Sequence, residues 1–309
     1  MGIIDHKGEI RMLEQEKIVA CIDGATLSEA VCDYAAWIAR TVNAPLKLLH
    51  SVEHRTIPAV ADITGALGLG ASEDLLAELT EVEENRSRLL IQKGQLMLDA
   101  AKARASEAGV EHVDILQRHG SLAESLVDLE AEIRVLVIGI RGEDHESPPG
   151  PGSAGPIRRN ASGTGTQLES LVRALHKPIL VVNRGFSVPK KIMLAYDGSE
   201  AAIKGLHMVA GSPLFKQIPC HLVHVVDSGS GTDELLESAA RELSEAGIEV
   251  TRAQLTGPIE DALSTYQAKE DIDLTVMGAF SHGRLRKFLL GSFTSNMLER
   301  TQRPLLLLR

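Results

Sequence analysis

Aromatic side chains are scarce in this chain of 309 residues, where phenylalanine, tyrosine and tryptophan together make up 3%. The protein cores are therefore expected to be aliphatic, and recognition of single-stranded nucleic acid by base stacking is disfavoured. Basic residues are outnumbered, 32 against 42 acidic ones, which leaves a net charge of −10. This charge opposes non-specific attraction to nucleic acid and to anionic lipid, so we expect neither as a partner.

Cysteine is limited to Cys21, Cys32 and Cys220, which are widely spaced and lie in apolar contexts. We interpret them as buried small hydrophobic residues of a reducing, cytoplasmic setting.

No apolar run reaches the roughly 18 residues of a membrane span, and residues 1–17 lack the apolar centre of a signal peptide. The 11 histidines do not cluster with cysteines at metal-ligand spacing, so no metal site is predicted.

Nucleotide motifs of the common kinds are also missing. No Walker A pattern occurs in the sequence. Residues 150–155 fit the dinucleotide fingerprint literally, but no strand directly precedes them and no credible helix follows. A nucleotide site, if present, must therefore use another loop.

The chain repeats itself on the scale of a domain, in five blocks that keep the same order. The matches are 17–24 with 191–198, 48–53 with 222–227, 120–126 with 257–263, 135–139 with 274–278, and 177–182 with 303–308. The first two share an offset of 174 residues. We expect two domains, 1–184 and 185–309, the first with insertions near 55–75 and 143–164.

Short, continuous apolar runs alternate with helical patterns in each half, which predicts strands buried on both faces. The predicted strands are 17–22, 46–52, 113–117, 135–139, 178–182, 191–196, 219–226, 250–255, 273–277 and 304–308. Residues 72–108 are predicted to form one long helix. The expected fold class is α/β, with two similar doubly wound domains, each a five-stranded parallel sheet with helices on both faces.

Two loops that follow predicted strands are candidates for ligand binding, because ligands of open parallel sheets bind beyond the carboxyl ends of the strands. Asp23 and Asp197 each precede a glycine after a first strand. Each is interpreted either as an acceptor for an amino group, such as that of adenine, or as a cap of the following helix, with Ser199 assisting. His50 and His224, at the ends of the second strands, are interpreted as satisfied, partly buried groups, with a ligand or pH role left open.

The second loop follows the fourth strand of the second half, where Gly278 and Gly291 bracket a basic segment. Gly291 and Ser292 are predicted to open a helix, whose N-terminus would suit a phosphate. The alternative is a glycine turn with an ordinary serine cap.

This organisation resembles the universal stress protein family in a tandem form, whose fold is adenine nucleotide alpha hydrolase-like. Nucleotide-binding members carry Gly, two residues, Gly, nine residues, Gly, then Ser or Thr. The second half keeps this spacing at Gly278, Ser281 and Gly291-Ser292, with Ser281 in place of a glycine. The resemblance spans about Glu16 to Arg309, apart from the insertions.

The resemblance implies that the second half binds ATP, with Mg²⁺ as an option, or another adenine nucleotide. The implied residues are Asp197, Gly198, Val225, Met277, Gly278, Ser281, His282, Gly283, Arg284, Gly291, Ser292, Phe293 and Thr294. A second site in the first half stays open, because a 13-residue insertion interrupts its motif. Its residues would be Asp23, Gly24, Val52, Gly139, Gly142, Gly165 and Thr166.

The function implied is that of a stress-response regulatory protein that signals through domain arrangement and an unidentified protein partner. A slow ATPase and a nucleotide-free interaction scaffold are the alternatives. No general base is recognised, so no catalytic residue is assigned. The resemblance also implies that the last strands of the two halves pair with each other as a pseudo-dimer within the chain, while a homodimer of the whole chain stays open.

Overall fold

The computed structural model describes residues 3–4, 10–11, 16–52, 69–140, 166–226, 233–279, 297, 301 and 303–309. Its strands are β1 (Ile3–Ile4), β2 (Ile10–Arg11), β3 (Lys17–Cys21), β4 (Leu46–Val52), β5 (Val113–His119), β6 (Ile133–Gly139), β7 (Ile179–Val182), β8 (Ile192–Ala195), β9 (Cys220–Val226), β10 (Val250–Thr256), β11 (Leu274–Gly278) and β12 (Leu305–Leu308). Its helices are α1 (Ser28–Val42), α2 (Leu69–Glu107), α3 (Leu122–Asp128), α4 (Thr166–Ala174), α5 (Glu200–Gly211), α6 (Asp233–Glu245) and α7 (Ile259–Lys269).

Ten strands form one continuous sheet in the order β10-β9-β8-β11-β12-β7-β6-β3-β4-β5. Each half contributes five parallel strands whose order reverses beside its first strand, β3 or β8. The halves meet where β7 and β12 pair antiparallel, with Leu306 opposite Leu180. The doubly wound α/β fold is confirmed, and the two expected sheets are joined into one through their fifth strands.

The inner strands are predominantly apolar because helices cover both faces of the sheet. All four residues of β7 and of β12 are buried. One buried cluster lies under α1, α2, α5 and α6, and the other lies under α3, α4 and α7. Both clusters draw residues from the two halves, so the core on each face runs across the junction.

Element bounds follow the predictions closely, with one exception. The long helix predicted at 72–108 is α2, which spans Leu69–Glu107. The antiparallel pair β1 and β2 was not predicted. Two residues per strand are too few to produce a recognisable apolar alternation in the sequence.

The connection between β7 and β8 is packed against the first half. The hydroxyl of Tyr34 in α1 donates to the carbonyl of Ser187 at 3.3 Å, and its ring meets Phe186 edge-to-face at 4.8 Å. Tyr34 itself is 1% exposed. The short linker is thus tied to α1 by an aromatic contact and a hydrogen bond.

All three cysteines are buried free thiols, as expected. Burial raises the pKa of Cys32 to about 11 and that of Cys220 to about 12, and it also raises the pKa of Cys21. Each sulfur therefore stays a neutral thiol near pH 7 and packs as a small hydrophobic group.

Among the helices in the described ranges, none has the length and apolar character to cross a membrane.

Candidate nucleotide site

An open cleft lies at the carboxyl edge of the second half, where strand order reverses between β8 and β11. Ligands of open parallel sheets bind at such a reversal of strand order. The lining residues are Ala195, Tyr196, Asp197, Ser199, Val223, His224, Val225, Ile259, Leu263, Met277 and Gly278. The structure thus brings Asp197, Val225, Met277 and Gly278, four residues predicted from the sequence, into one cleft.

A tight turn presents Asp197 to this cleft. The turn needs Gly198, whose φ of +75° favours glycine, and the backbone N–H of Ser199 donates to Asp197 Oδ1 at 3.0 Å. Ser199 is the N-cap of α5, and its Oγ accepts a hydrogen bond from the N–H of Ala202 at 3.3 Å. Ser199 therefore caps the helix, while Asp197 braces the turn. No described residue donates to Asp197 Oδ2.

Gly278 ends β11 at a point where strand and helix come very close. A Cβ on this residue would lie 2.8 Å from Ala201 Cβ and 3.4 Å from the backbone nitrogen of Ala202. Such distances leave no room for a side chain without a shift of α5 or β11. Gly278 therefore sets how near the floor of the cleft lies to the start of α5.

Tyr196 and His224, which sequence reasoning did not assign to the site, are also among the residues that line the cleft. His224 Nδ1 lies 2.6 Å from the carbonyl oxygen of Tyr196. Burial, followed by the Glu242 and Asp197 carboxylates, raises the pKa of the Tyr196 phenol. The phenol is thus neutral near pH 7. His50 makes the same bond to the carbonyl of Ile22 at 2.7 Å, so both histidines are satisfied at Nδ1.

The apolar wall of the cleft includes Ile259 and Leu263 on α7, which the sequence analysis also left out of the site. A signal for them was present, because 257–263 is one of the repeated blocks. A block that recurs immediately after a strand lies at the carboxyl edge of the sheet, where ligands bind.

The predicted phosphate-binding residues lie outside the described part of the chain. They are Ser281, His282, Gly283, Arg284, Gly291, Ser292, Phe293 and Thr294. The segment that holds them leaves the sheet at Gly278, which lines the cleft. Their assignment stays a prediction from the sequence.

The corresponding loop of the first half is arranged differently. Asp23 Oδ1 accepts from the Ala25 N–H at 3.0 Å and from the Ser28 hydroxyl at 2.8 Å, while Ser28 Oγ accepts from the Gly24 N–H at 2.9 Å. Gly24 has a φ of +79°. In the second half, Ala202 stands where Ser28 would be at the offset of 174 residues. The Asp23 carboxylate is therefore held by its own loop more completely than the Asp197 carboxylate.

The other residues of the alternative first-half site are spread over several elements. Val52 and Gly139 end β4 and β6, and Thr166 is the first residue of α4. Gly142 and Gly165 lie outside the described residues. The offset of 174 residues makes Ser51, rather than Val52, the counterpart of Val225.

Helix α2 packs across the carboxyl-terminal parts of β4 and β5 in the first half. A Cβ on Gly94 would lie 2.4 Å from Gln117 Nε2 and 2.5 Å from His50 Cδ2, so the helix backbone rests directly on these side chains. The amide of Gln117 also donates to the carbonyl of Ile91 at 3.1 Å.

Within the described ranges, no group of three or more His, Cys, Asp and Glu side chains is arranged to hold a metal ion.

Comparison with known proteins gives the same family on both halves. A family model described as the universal stress protein family matches residues 15–183 and 189–309. A universal stress protein from Synechocystis sp. is 33% identical over 298 residues, which are 95% of this chain and 100% of that protein.

Solved structures agree on the fold. A universal stress protein from Archaeoglobus fulgidus is 15% identical with a TM-score of 0.69, over 97% of this chain and 98% of that chain. A functionally unknown protein from Pseudomonas aeruginosa is 18% identical with a TM-score of 0.56, over 96% of this chain and 93% of that chain. From the family match on both halves and the identity to a full-length relative, we conclude that this chain belongs to the universal stress protein family.

Proposed function

We propose that this protein is a stress-response regulatory protein that binds ATP or a related adenine nucleotide in its second half. The observation that carries the proposal is the cleft at the reversal of strand order, with the Asp197 carboxylate at its edge. Val223, Leu263 and Met277 are each at most 2% exposed and give it the apolar walls that a purine ring requires. The carboxylate is an acceptor for the amino group of such a ring.

The phosphates would extend toward the segment after Gly278, which carries the glycine-serine motif at Gly291-Ser292. Backbone N–H groups at a helix N-terminus bind anions without a net positive protein charge, which suits a chain of net charge −10. Mg²⁺ would be bound with the triphosphate, because metal–phosphate contacts need few protein ligands.

In this proposal the chain comprises units 1–184 and 185–309, with one nucleotide site in the second. Nucleotide binding would stabilise one arrangement of the two halves and change the affinity for a protein partner. The buried free thiols support a reducing, cytoplasmic location. For the first half the scaffold role is favoured, because a 13-residue insertion interrupts its glycine motif.

The test is calorimetric titration of the purified chain with ATP, with and without Mg²⁺, on the parent and on Gly291→Asp. The added side chain and negative charge are expected to abolish binding by excluding and repelling the phosphates. Gly165→Asp, at the corresponding position of the first half, is the matched control and should leave ATP affinity unchanged. Unchanged affinity in Gly291→Asp would contradict the site.

Two outcomes would favour the alternative functions. Steady phosphate release that is lost in Gly291→Asp would indicate a slow ATPase. A parent protein that neither carries nor takes up nucleotide would indicate an interaction scaffold in both halves.

A further inference from the structure

Helix α2 is the longest helix in the described ranges, and its carboxyl-terminal part packs on the first half. Its 39 residues extend over roughly 60 Å at 1.5 Å per residue. Leu98, Ala101 and Ala105, toward the carboxyl end, are buried in the core. Closer to the amino end, all residues from 81 to 86 are exposed. Because one turn of a helix takes 3.6 residues, this part of α2 is open to solvent on every side.

Three large apolar side chains lie on the side of α2 that faces away from the core. Val82, Leu89 and Leu96 are 56%, 64% and 71% exposed. They follow one another at intervals of seven residues, which is close to two full turns, so they form one line along the helix. Leu96 and the buried Leu98 are two residues apart, or about 200° around the helix axis. We call Val82, Leu89 and Leu96 the α2 stripe.

The period of the α2 stripe indicates what kind of partner covers it. Apolar side chains at intervals of seven residues are the pattern by which two helices pack along each other in a coiled coil. An aligned set of exposed apolar side chains of this kind marks an interaction surface. Glu81, Glu83 and Glu84 lie beside its first member and oppose an anionic membrane surface. The pattern therefore favours a second helix as the partner.

The charges beside the stripe change sign along the helix, which favours a second copy of α2 in the opposite direction. Glu81 directly precedes Val82, and Arg88 directly precedes Leu89. Glu81 and Arg88 therefore lie on the same side of the stripe, two turns apart. Antiparallel copies related by a two-fold axis bring the same side of each stripe together. With Val82 of one copy opposite Leu89 of the other, Glu81 of each copy faces Arg88 of its partner.

The other side of the stripe is compatible with this register. Arg86 lies there, close to the two-fold axis, and would approach Arg86 of the second copy. Its guanidinium is 3.7 Å from the Glu83 carboxylate of its own helix, which offsets the repulsion. Parallel copies would instead place Arg88 beside Lys93, a pair of like charges, because flanking residues five positions apart meet in parallel coiled coils.

We propose that two copies of this chain associate through antiparallel pairing of their α2 stripes. The surface is distinct from the junction of β7 with β12, which pairs strands within one chain. It is also independent of the proposed nucleotide site, so the two can be tested separately.

The experiment measures the mass of the full-length chain by light scattering after gel filtration. The parent should have the mass of a dimer at micromolar concentration and dissociate on dilution. Leu89→Glu should raise the dissociation constant at least about a hundredfold, because the dimer loses two buried leucines. Val127→Glu is the matched control, since Val127 in α3 is 47% exposed and lies off the stripe. It should leave the dissociation constant unchanged.

The orientation of the helices is tested by exchange of the flanking charges. Arg88→Glu would face Glu81 of the other copy and should weaken the dimer roughly tenfold. Addition of Glu81→Arg to the same chain restores opposite charges and should return the dissociation constant of the parent. Urea denaturation of dilute, monomeric protein checks that each variant keeps its fold.

Three results would overturn the inference. A parent that stays monomeric would leave the stripe to a helix of another protein. A dimer that Leu89→Glu does not weaken would use a different surface. A dimer that Arg88→Glu tightens would have parallel helices, since the new carboxylate would then meet Lys93.

Discussion

At the scale of single residues, the cleft is shaped by glycines whose missing side chains have different consequences. Gly198 permits a left-handed turn, with a φ of +75°. Gly278 permits contact between a strand and a helix, because a Cβ there would lie 2.8 Å from Ala201 Cβ. Gly211, the last residue of α5, has no atom within 4 Å of the corresponding position. The same residue type is therefore required at the first two positions and replaceable at the third.

Replacement of Gly278 by alanine is expected to lower the free energy of unfolding by about 1–3 kcal/mol, the usual effect of overpacking a filled site. It should also weaken nucleotide binding, since the added methyl group pushes β11 and α5 apart at the cleft floor. Gly211→Ala is the control, and it should be neutral or stabilising by up to about 1 kcal/mol. Urea denaturation of the two variants checks this prediction, and equal effects would contradict it.

At the scale of elements, the amino-terminal ends of the first-half strands are joined by ion pairs. Lys47 in β4 donates to Glu132 at 2.5 Å, and Lys17 in β3 lies 3.7 Å from Glu132 and 3.3 Å from Asp114 of β5. The hydrogen bond from Lys47 is the main reason why the pKa of Glu132 is lowered from its ordinary value of 4.5. Lys47 is largely buried, so the pair is less screened by water than a surface pair.

A lowered carboxyl pKa stabilises the fold above the ordinary pKa, and that contribution disappears as pH falls through the folded-state pKa. Glu132→Gln should therefore lose about 1–3 kcal/mol of stability at pH 7, where the charged hydrogen bond is present. The difference from the parent should shrink below pH 4.5 and vanish once Glu132 is protonated in both states. Denaturation from pH 7 to pH 3 measures it, with the exposed Glu107→Gln as control. A difference independent of pH would contradict the assignment.

At the scale of the whole molecule, the two halves form one body because each covers the last strand of the other. Leu305–Leu308 of β12 pairs antiparallel with Ile179–Val182 of β7. Asn183 strengthens the junction by donating to the carbonyls of Thr301 and Arg303 at 2.9 and 2.8 Å. An open, fully apolar edge strand would be a site for association with another chain.

The second half on its own, residues 185–309, is therefore expected to self-associate through the exposed edge of β12. Light scattering after gel filtration should give the mass of a dimer for this fragment. The full-length Leu89→Glu variant at the same concentration is the control, since its β12 edge is already paired and its α2 stripe is disrupted. A fragment that stays monomeric would show that β12 does not need a partner strand.

Much of this protein was determined by local sequence patterns. Apolar runs such as 178–182 and 304–308 predicted buried strands, because strands covered on both faces consist mainly of apolar residues. The repeat at an offset of 174 residues predicted two similar halves and placed Asp197, Met277 and Gly278 near one edge. These properties depend on residues that are neighbours along the chain, or on a topology that the repeat itself implies.

Tertiary structure alone decided which side chains meet at the carboxyl edge of the sheet. The sequence shows His50 and His224 as equivalent, and it does not show that the backbone of α2 at Gly94 rests on the His50 ring. It also did not reveal that Ser28 holds Asp23, or that Ile259 and Leu263 complete the cleft wall. Each of these contacts joins residues from separate turns or elements, so its geometry depends on how helices pack on the sheet, which no local pattern encodes.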